Sequence, residues 1–281
     1  MPSYEHAIAV QSLTYSHVPS TTSLNDVNLY LPPASRTLLI GANGAGKSTL
    51  LQILAGKRLT SGSDVRILGR DVFRDSPPGV TYLGTEWAMN PVVRGDLLVS
   101  AFLDSVGGYR HKARRDILLD ILDVDLDWHM HAISDGERRR VQLVMGLMAE
   151  WDILLLDEVH DRQHVSFGIN LTAQSEGRGA TILYATHIFD GLNSFPTHVL
   201  HMRFGKFVTP PIEWKPSNMS SCSVVSGFLL HTVALKWLKE DKLYRKQEEE
   251  RGNRTRTRGA RRNQTVPSDS EVFYKKYDYG H

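Results

Sequence analysis

Apolar positions along this chain recur at two different spacings, and the switches between them mark out the elements. Short alternating runs over residues 8–10 and 27–31 predict strands, and Leu38, Leu39 and Ile40 predict another. Turn residues Gly62, Gly69 and Pro77-Pro78-Gly79 separate strand-like stretches at 65–68 and 80–83. From about Leu97 to Leu126 the spacing changes to three and four, which predicts helix, and a second helix is expected from about Glu137 through Met148. Continuous apolar runs at 153–156 and 181–185 have the character of strands covered on both faces of a parallel sheet. The expected fold is therefore α/β.

The pattern changes again after Val208. Pro210-Pro211 and Pro216-Ser217 read as a linker, and 228–238 as one amphipathic helix, so that 209–238 forms a linker plus helix. Beyond it, 239–281 is mostly charged, with six arginines between Arg251 and Arg262, and its composition predicts a disordered tail. Such a basic tail is able to touch nucleic acid or an acidic partner, although a solvated tail is the simpler expectation. Net charge is only +2, which gives no reason to expect nucleic-acid or membrane binding by the chain as a whole. Its one cysteine, Cys222, permits no intrachain disulfide. The opening residues lack a signal-peptide pattern, and no apolar run approaches the roughly 20 residues needed to cross a bilayer. These features lead to the expectation of a soluble protein in the cytoplasm, also able to enter the nucleus.

Residues 41–49 read Gly-Ala-Asn-Gly-Ala-Gly-Lys-Ser-Thr, a complete G-x-x-x-x-G-K-[ST] phosphate loop between a predicted strand and a helix-like stretch. Gly41, Asn43, Gly44, Ala45 and Gly46 would turn their backbone N–H groups toward phosphate oxygens, and the following helix would add its positive end. Lys47 is expected to reach the β- and γ-phosphates of a nucleoside triphosphate, with Ser48 and Thr49 beside it and the Ser48 hydroxyl on Mg²⁺. The run Leu154-Leu155-Leu156-Asp157-Glu158 ends a buried strand in two carboxylates. Asp157 is suited to the Mg²⁺ shell, and Glu158 to polarising the attacking water. Upstream, Ser134-Asp135-Gly136-Glu137 precedes a basic helical run. Ser134 and the Gly136 backbone can form a second anion site there, and Ser134 with Glu137 also satisfies a helix capping box.

Together these motifs resemble the ATP-binding-cassette (ABC) ATPases, over roughly residues 6–208. The resemblance implies an ABC-type phosphate-loop domain with a mixed-sheet core, a small antiparallel β portion and a helical signature subdomain at about 89–135. It assigns Tyr15 to stacking on adenine and His187, after the strand at 182–185, to the γ-phosphate. Ser134 becomes the signature serine that meets ATP bound by a second copy, in a head-to-tail homodimer. A narrower resemblance lies in Tyr82-Leu83-Gly84-Thr85-Glu86-Trp87, Asp127-Trp128-His129-Met130-His131 and residues 185–191, which are similar to the soluble, non-transporter "I" group. The best-known fungal member of that group is a factor associated with the NOT deadenylation and transcription complex. That resemblance implies a regulatory ATPase in gene expression. A transporter subunit and a nucleotide-dependent module without turnover are the alternatives.

Three departures from the family pattern stand out. Thr85-Glu86-Trp87 replaces the glutamine that normally couples the site to a membrane partner. Asp135 and Glu137 stand where the signature usually has glycine and glutamine, and their charge should repel a triphosphate unless residues Arg138 to Arg140 compensate. Finally, 159–180 lacks a helical stripe, which predicts poor local order and impaired hydrolysis.

Overall fold

The computed structural model describes residues 4–18, 21–60, 62–159, 171–173, 175–189, 191–215 and 229–252. Its central element is a mixed sheet in the order β10-β9-β3-β8-β7-β6. β3 (Arg36–Ile40), β6 (Val80–Leu83), β7 (Ile153–Asp157), β8 (Thr181–Ala185) and β9 (His198–Arg203) run parallel. β10 (Lys206–Phe207) and β11 (Ile212–Glu213) pair antiparallel with β9. A second, antiparallel sheet has the order β2-β1-β4-β5, built from β1 (Ile8–Val18), β2 (Thr21–Leu31), β4 (Asp64–Ile67) and β5 (Arg70–Asp71).

Side chains alternate across the central strands, so each face enters a different core. Leu38, Ile40, Leu154, Leu156 and Ile182 pack with the helices α2 (Val99–Ser105), α3 (Lys112–Leu122) and α4 (Asp135–Leu147). Leu39, Ile153, Leu155, Leu183 and Ala185 pack instead with α1 (Lys47–Leu54) and the antiparallel sheet. Covering on both faces explains why the central strands read as unbroken apolar runs. The helical spacing of 97–126 breaks at Gly107, which takes φ 94°, and a short 3₁₀ turn at Gly108–His111 joins α2 to α3.

Two expectations need correction. α5 spans Leu229–Glu250, so helix continues through a stretch read as disordered tail. Lys, Glu, Arg and Gln are good helix formers even where too polar to pack, and the Arg245–Glu249 pair at 3.6 Å adds i,i+4 support. One compact unit of the chain ends at Asp241 within this helix. Residues 253–281, with most of the arginines, lie outside the described residues. Residues 171–173 and 175–178 are also helical, where no helix was expected. Only Leu171 and Ser175 are buried there, four residues apart, which is too sparse a stripe to read from sequence. Within 159–180, residues 160–170 and 174 fall outside the described residues.

Candidate functional site

The loop at 41–46 leaves the end of β3 and turns into α1. Gly46 adopts φ 107°, and a side chain there would also meet Leu24 and the Ser23 carbonyl. At Gly41 the constraint is proximity, because a Cβ would lie 2.3 Å from the carbonyl oxygen of Met202 on β9. α1 begins without a side-chain cap and has no acidic residue in its first turn. Its N-terminal N–H groups are thus left to an anion.

The cluster of charged groups at this point is short-range. Lys47 is buried, donates to the Gly41 carbonyl at 2.8 Å and lies 3.6 Å from Glu158 Oε1. The Ser48 hydroxyl donates to Asp157 Oδ1 at 3.0 Å, and the Tyr82 hydroxyl to Asp157 Oδ2 at 3.3 Å. Glu158 sits just past β7 with φ 52°, its N–H donating to the Ala185 carbonyl at 2.9 Å. Its Oε2 is 2.5 Å from His187 Nδ1. An open cavity of about 380 Å³ is lined by Asn43, Gly44, Gly46, Lys47, Ser48, Thr49, Glu158 and His187.

Burial pushes the Asp157 carboxyl above its ordinary range, with the adjacent Glu158 charge adding to the effect and the Ser48 hydrogen bond opposing it. Burial, then the Asp157 charge, likewise push the Tyr82 phenol up, which keeps it a donor. A buried carboxylate beside a hydroxyl, both hard oxygen ligands, is the donor set Mg²⁺ prefers, and a cation there would relieve the unfavourable burial of charge. Asp157 and Ser48 thus fit the metal on the chemistry of their atoms.

Tyr15 does not line this cavity. It lies on β1 among irregular pairings with β2, its hydroxyl accepting from Arg58 at 3.4 Å and its ring edge-on to His17 at 5.1 Å. His17 in turn is 3.2 Å from the Thr49 hydroxyl, so the strand is tied to the loop. Ser134 and Gly136 are also away from the cavity, at the exposed start of α4. There Ser134 and Glu137 form a full capping box: Glu137 N donates to Ser134 Oγ at 3.2 Å, and Ser134 N and Oγ donate to Glu137 Oε2 at 2.8 and 2.7 Å.

A model of the family described as "ABC transporter" matches residues 24–160. CCR4-associated factor 16 of Saccharomyces cerevisiae is 38% identical over 276 residues, spanning 84% of this chain and 96% of the relative. ABC transporter I family member 20 of Arabidopsis thaliana is 37% identical, over 89% of this chain and 77% of the relative. The chain belongs to the ATP-binding-cassette family. Solved structures agree on the fold: a nucleotide-free ATP-binding cassette from an ABC transporter matches with TM-score 0.62 at 15% identity, covering 80% of this chain and 98% of that one. A dimeric cassette in a post-hydrolysis state bound to ADP and Pi matches with TM-score 0.62 at 16% identity, over 74% of this chain and 99% of that one.

Within this ABC domain the charges of the atypical signature are balanced locally. Asp135 pairs with Arg138 at 2.6 Å and Arg94 at 3.5 Å, and Glu137 lies 4.0 Å from Arg140. The Ser134 contacts also hold the Glu137 carboxyl below its usual range. Arg139, by contrast, turns inward, away from the signature carboxylates it was expected to compensate. Nearly fully buried, it donates to the Gly84 carbonyl at 2.7 Å and to the carbonyls of Asp157 and Glu158 at 3.1 and 3.2 Å, and also binds Gln142. It braces the turn that carries both carboxylates against the segment following β6. Tyr82 and Tyr184 were missed in the sequence. The Tyr184 hydroxyl, pushed up to about 12 by burial, donates to the Val159 carbonyl at 2.5 Å and fixes the chain just past Glu158. The only signal for Arg139 is its place in a run of three arginines, which on a helix must point in three directions.

Proposed function

We propose that this chain is a regulatory, non-transporter ABC ATPase that binds MgATP and hydrolyses it between two copies arranged head to tail. The convergence of Lys47, Glu158 and His187 on one cavity, beside the Ser48–Asp157 pair, carries the reading. Asn43, Gly44, Ala45, Gly46 and Thr49 contribute the loop that wraps the phosphates, with Gly41 allowing its approach to β9. Tyr15 stacks on the adenine. Ser48 and Asp157 would hold Mg²⁺, which would supply positive charge to offset that of the triphosphate. Glu158 accepts a proton from the attacking water through its carboxylate, and His187, in contact with that carboxylate, orients it against the γ-phosphate. Ser134 and Gly136 of the second copy complete the site, which requires the Ser134 hydroxyl to exchange Glu137 for phosphate.

Closing on ATP and reopening after hydrolysis would shift the chain between two populations, through which it acts on a partner. The name of its yeast relative points to a CCR4-type factor as that partner, and the resemblance to the soluble "I" group extends this to a NOT-type complex in gene expression, which the chain would meet in the cytoplasm and also the nucleus. Thr85-Glu86 in place of the coupling glutamine favours this over a transporter subunit, and among the described residues no helix is long and apolar enough to cross a membrane. A module that binds ATP without turnover is the second reading, favoured by the engagement of Ser134 with Glu137. Affinity purification of wild type and Glu158→Gln from cells, with ATPase assays on both, tests the proposal. Turnover in wild type alone and stronger recovery of a deadenylation complex with the variant support it. Equal rates refute the role of Glu158, and recovery of membrane permease subunits instead refutes the regulatory reading.

A further inference from the structure

A second group of chemistry-bearing side chains lies outside the nucleotide cavity. Residues 96–98 and 128–130 run antiparallel, held by hydrogen bonds from Val99 N to the Trp128 carbonyl at 2.9 Å and from Met130 N to the Leu97 carbonyl at 2.8 Å. Met130 is fully buried, so His129 and His131, on either side of it in the sequence, emerge together toward solvent. Asp96 faces them from the opposite segment. Its Oδ1 is 2.7 Å from His129 Nδ1 and 3.1 Å from His131 Nδ1, and the two rings stand edge to face at 5.7 Å.

We propose that Asp96, His129 and His131 bind a divalent transition-metal ion of zinc-like character, which fastens the segment that presents the signature helix. Two imidazoles and one carboxylate suit zinc and its neighbours, whereas Mg²⁺ and Ca²⁺ favour all-oxygen sets. The spacing is close to what such an ion needs: at metal–ligand bonds of about 2.0–2.1 Å, tetrahedral ligand atoms sit about 3.3 Å apart. The three ligand atoms already lie within 4.8 Å of one another, on side chains exposed enough to adjust. Solvent on the open side supplies the fourth ligand. Backbone hydrogen bonds and buried Met130 preorganise the segment, so binding orders little new chain.

A physical route connects this site to α4. Buried Arg138 donates to the carbonyl of Met130 at 2.9 Å, to that of Ile133 at 2.9 Å, and to Asp135 at 2.6 Å. The residue between the two histidines and the first residue of α4 are thereby held by one guanidinium. A metal ion locking 129–131 onto 96–98 restricts the platform on which Ser134 is displayed.

The test uses the full chain, stripped with chelator and titrated with ZnCl₂ in excess MgCl₂ so that the nucleotide site does not report. Calorimetry should show one zinc equivalent in wild type that is lost in the Asp96→Ala/His129→Ala/His131→Ala variant. His129→Ala alone should weaken binding about 100-fold, at the upper end of what losing even an outer-sphere partner costs. Hydrogen exchange over 129–138 should slow on adding zinc to wild type and stay unchanged in the triple variant. Identical zinc stoichiometry and affinity in wild type and triple variant, or no binding by wild type, overturns the site. Binding without slowed exchange overturns its coupling to the signature helix. Neither readout depends on ATP turnover, so failure of the ATPase proposal leaves this one standing, and the reverse.

Discussion

Replacing Arg139 with alanine should cost about 3 kcal/mol of stability and lower any turnover disproportionately. The guanidinium donates to three main-chain carbonyls, those of Gly84, Asp157 and Glu158, from a nearly fully buried position. The Gly84 carbonyl keeps a second donor in Gln142 Nε2 at 3.0 Å, which leaves the Asp157 and Glu158 carbonyls; at about 1–3 kcal/mol for each the gross loss is about 2–6 kcal/mol. Against this, wild type carries the cost of burying the guanidinium itself, which is the main cause of the lowered Arg139 pKa, and that cost disappears on truncation. The difference sets the figure near 3 kcal/mol, or about a 1 M fall in urea midpoint at a slope of about 3 kcal/mol/M. Arg140→Ala provides the contrast within the same helix. Its contacts with the Leu122 and Asp123 carbonyls and with the ring of Trp128 are partly open to water, so the loss should stay near 1 kcal/mol. Urea unfolding followed by far-ultraviolet circular dichroism compares the two, and ATPase assays at equal folded fraction report the placement of Glu158. If Arg139→Ala and Arg140→Ala unfold at the same midpoint as wild type, or Arg139→Ala retains any wild-type turnover in full, the brace described above does not exist.

Lys47→Ala should weaken ATP binding about 10- to 100-fold, since one charge-assisted contact is worth about 1.5–3 kcal/mol, and unchanged affinity by calorimetry would refute its assignment. Glu158→Gln should bind ATP normally, stop turnover and accumulate as a dimer by sedimentation; steady hydrolysis in the variant would place the base elsewhere. Glu137→Gln keeps the capping box but removes a negative charge near the phosphate expected in the paired copy, so ATP-driven dimerisation should tighten about 2- to 5-fold at low salt, with no tightening as the adverse result. Asp241→Ala should cost about 3 kcal/mol, because Asp241 is buried 2.9 Å from His201 Nε2 and 3.4 Å from Arg203, and His201 also stacks on Trp237; an unchanged urea midpoint would show that this contact does not hold α5 to β9.

How much of this was legible in the sequence follows from how local each feature is. The phosphate loop, the strand ending in Asp157-Glu158 and the family-like order of motifs are compact patterns, and the structure brings Lys47, Ser48, Glu158 and His187 to one cavity. The central strands were readable because both faces are buried, which leaves no polar positions to confuse the pattern. Longer-range relations were not readable. Nothing in three consecutive arginines says that Arg138 will hold the approach to α4, Arg139 the carboxylate turn and Arg140 the carbonyls ending α3, since only helical phase and neighbours decide it. The charged stretch 239–250 was misread because composition measures the capacity to form a core, whereas a helix already anchored at Leu230, Ala234 and Asp241 needs only good helix formers to continue.

The same distinction explains the signature. Read as letters, Asp135 and Glu137 are two negative charges where a phosphate should bind. In the fold, Asp135 is engaged by Arg138 and Arg94, and Glu137 by Ser134 and, more distantly, by Arg140. Only the Glu137 contact stands directly between the Ser134 hydroxyl and a ligand. Asp135 therefore sets the position of α4 through Arg138, and in the head-to-tail pairing proposed above Glu137 would set the threshold at which ATP on a second copy displaces it. A site with that arrangement would close only when the γ-phosphate competes successfully for one serine hydroxyl, which suits a cycle that reports nucleotide state to a partner.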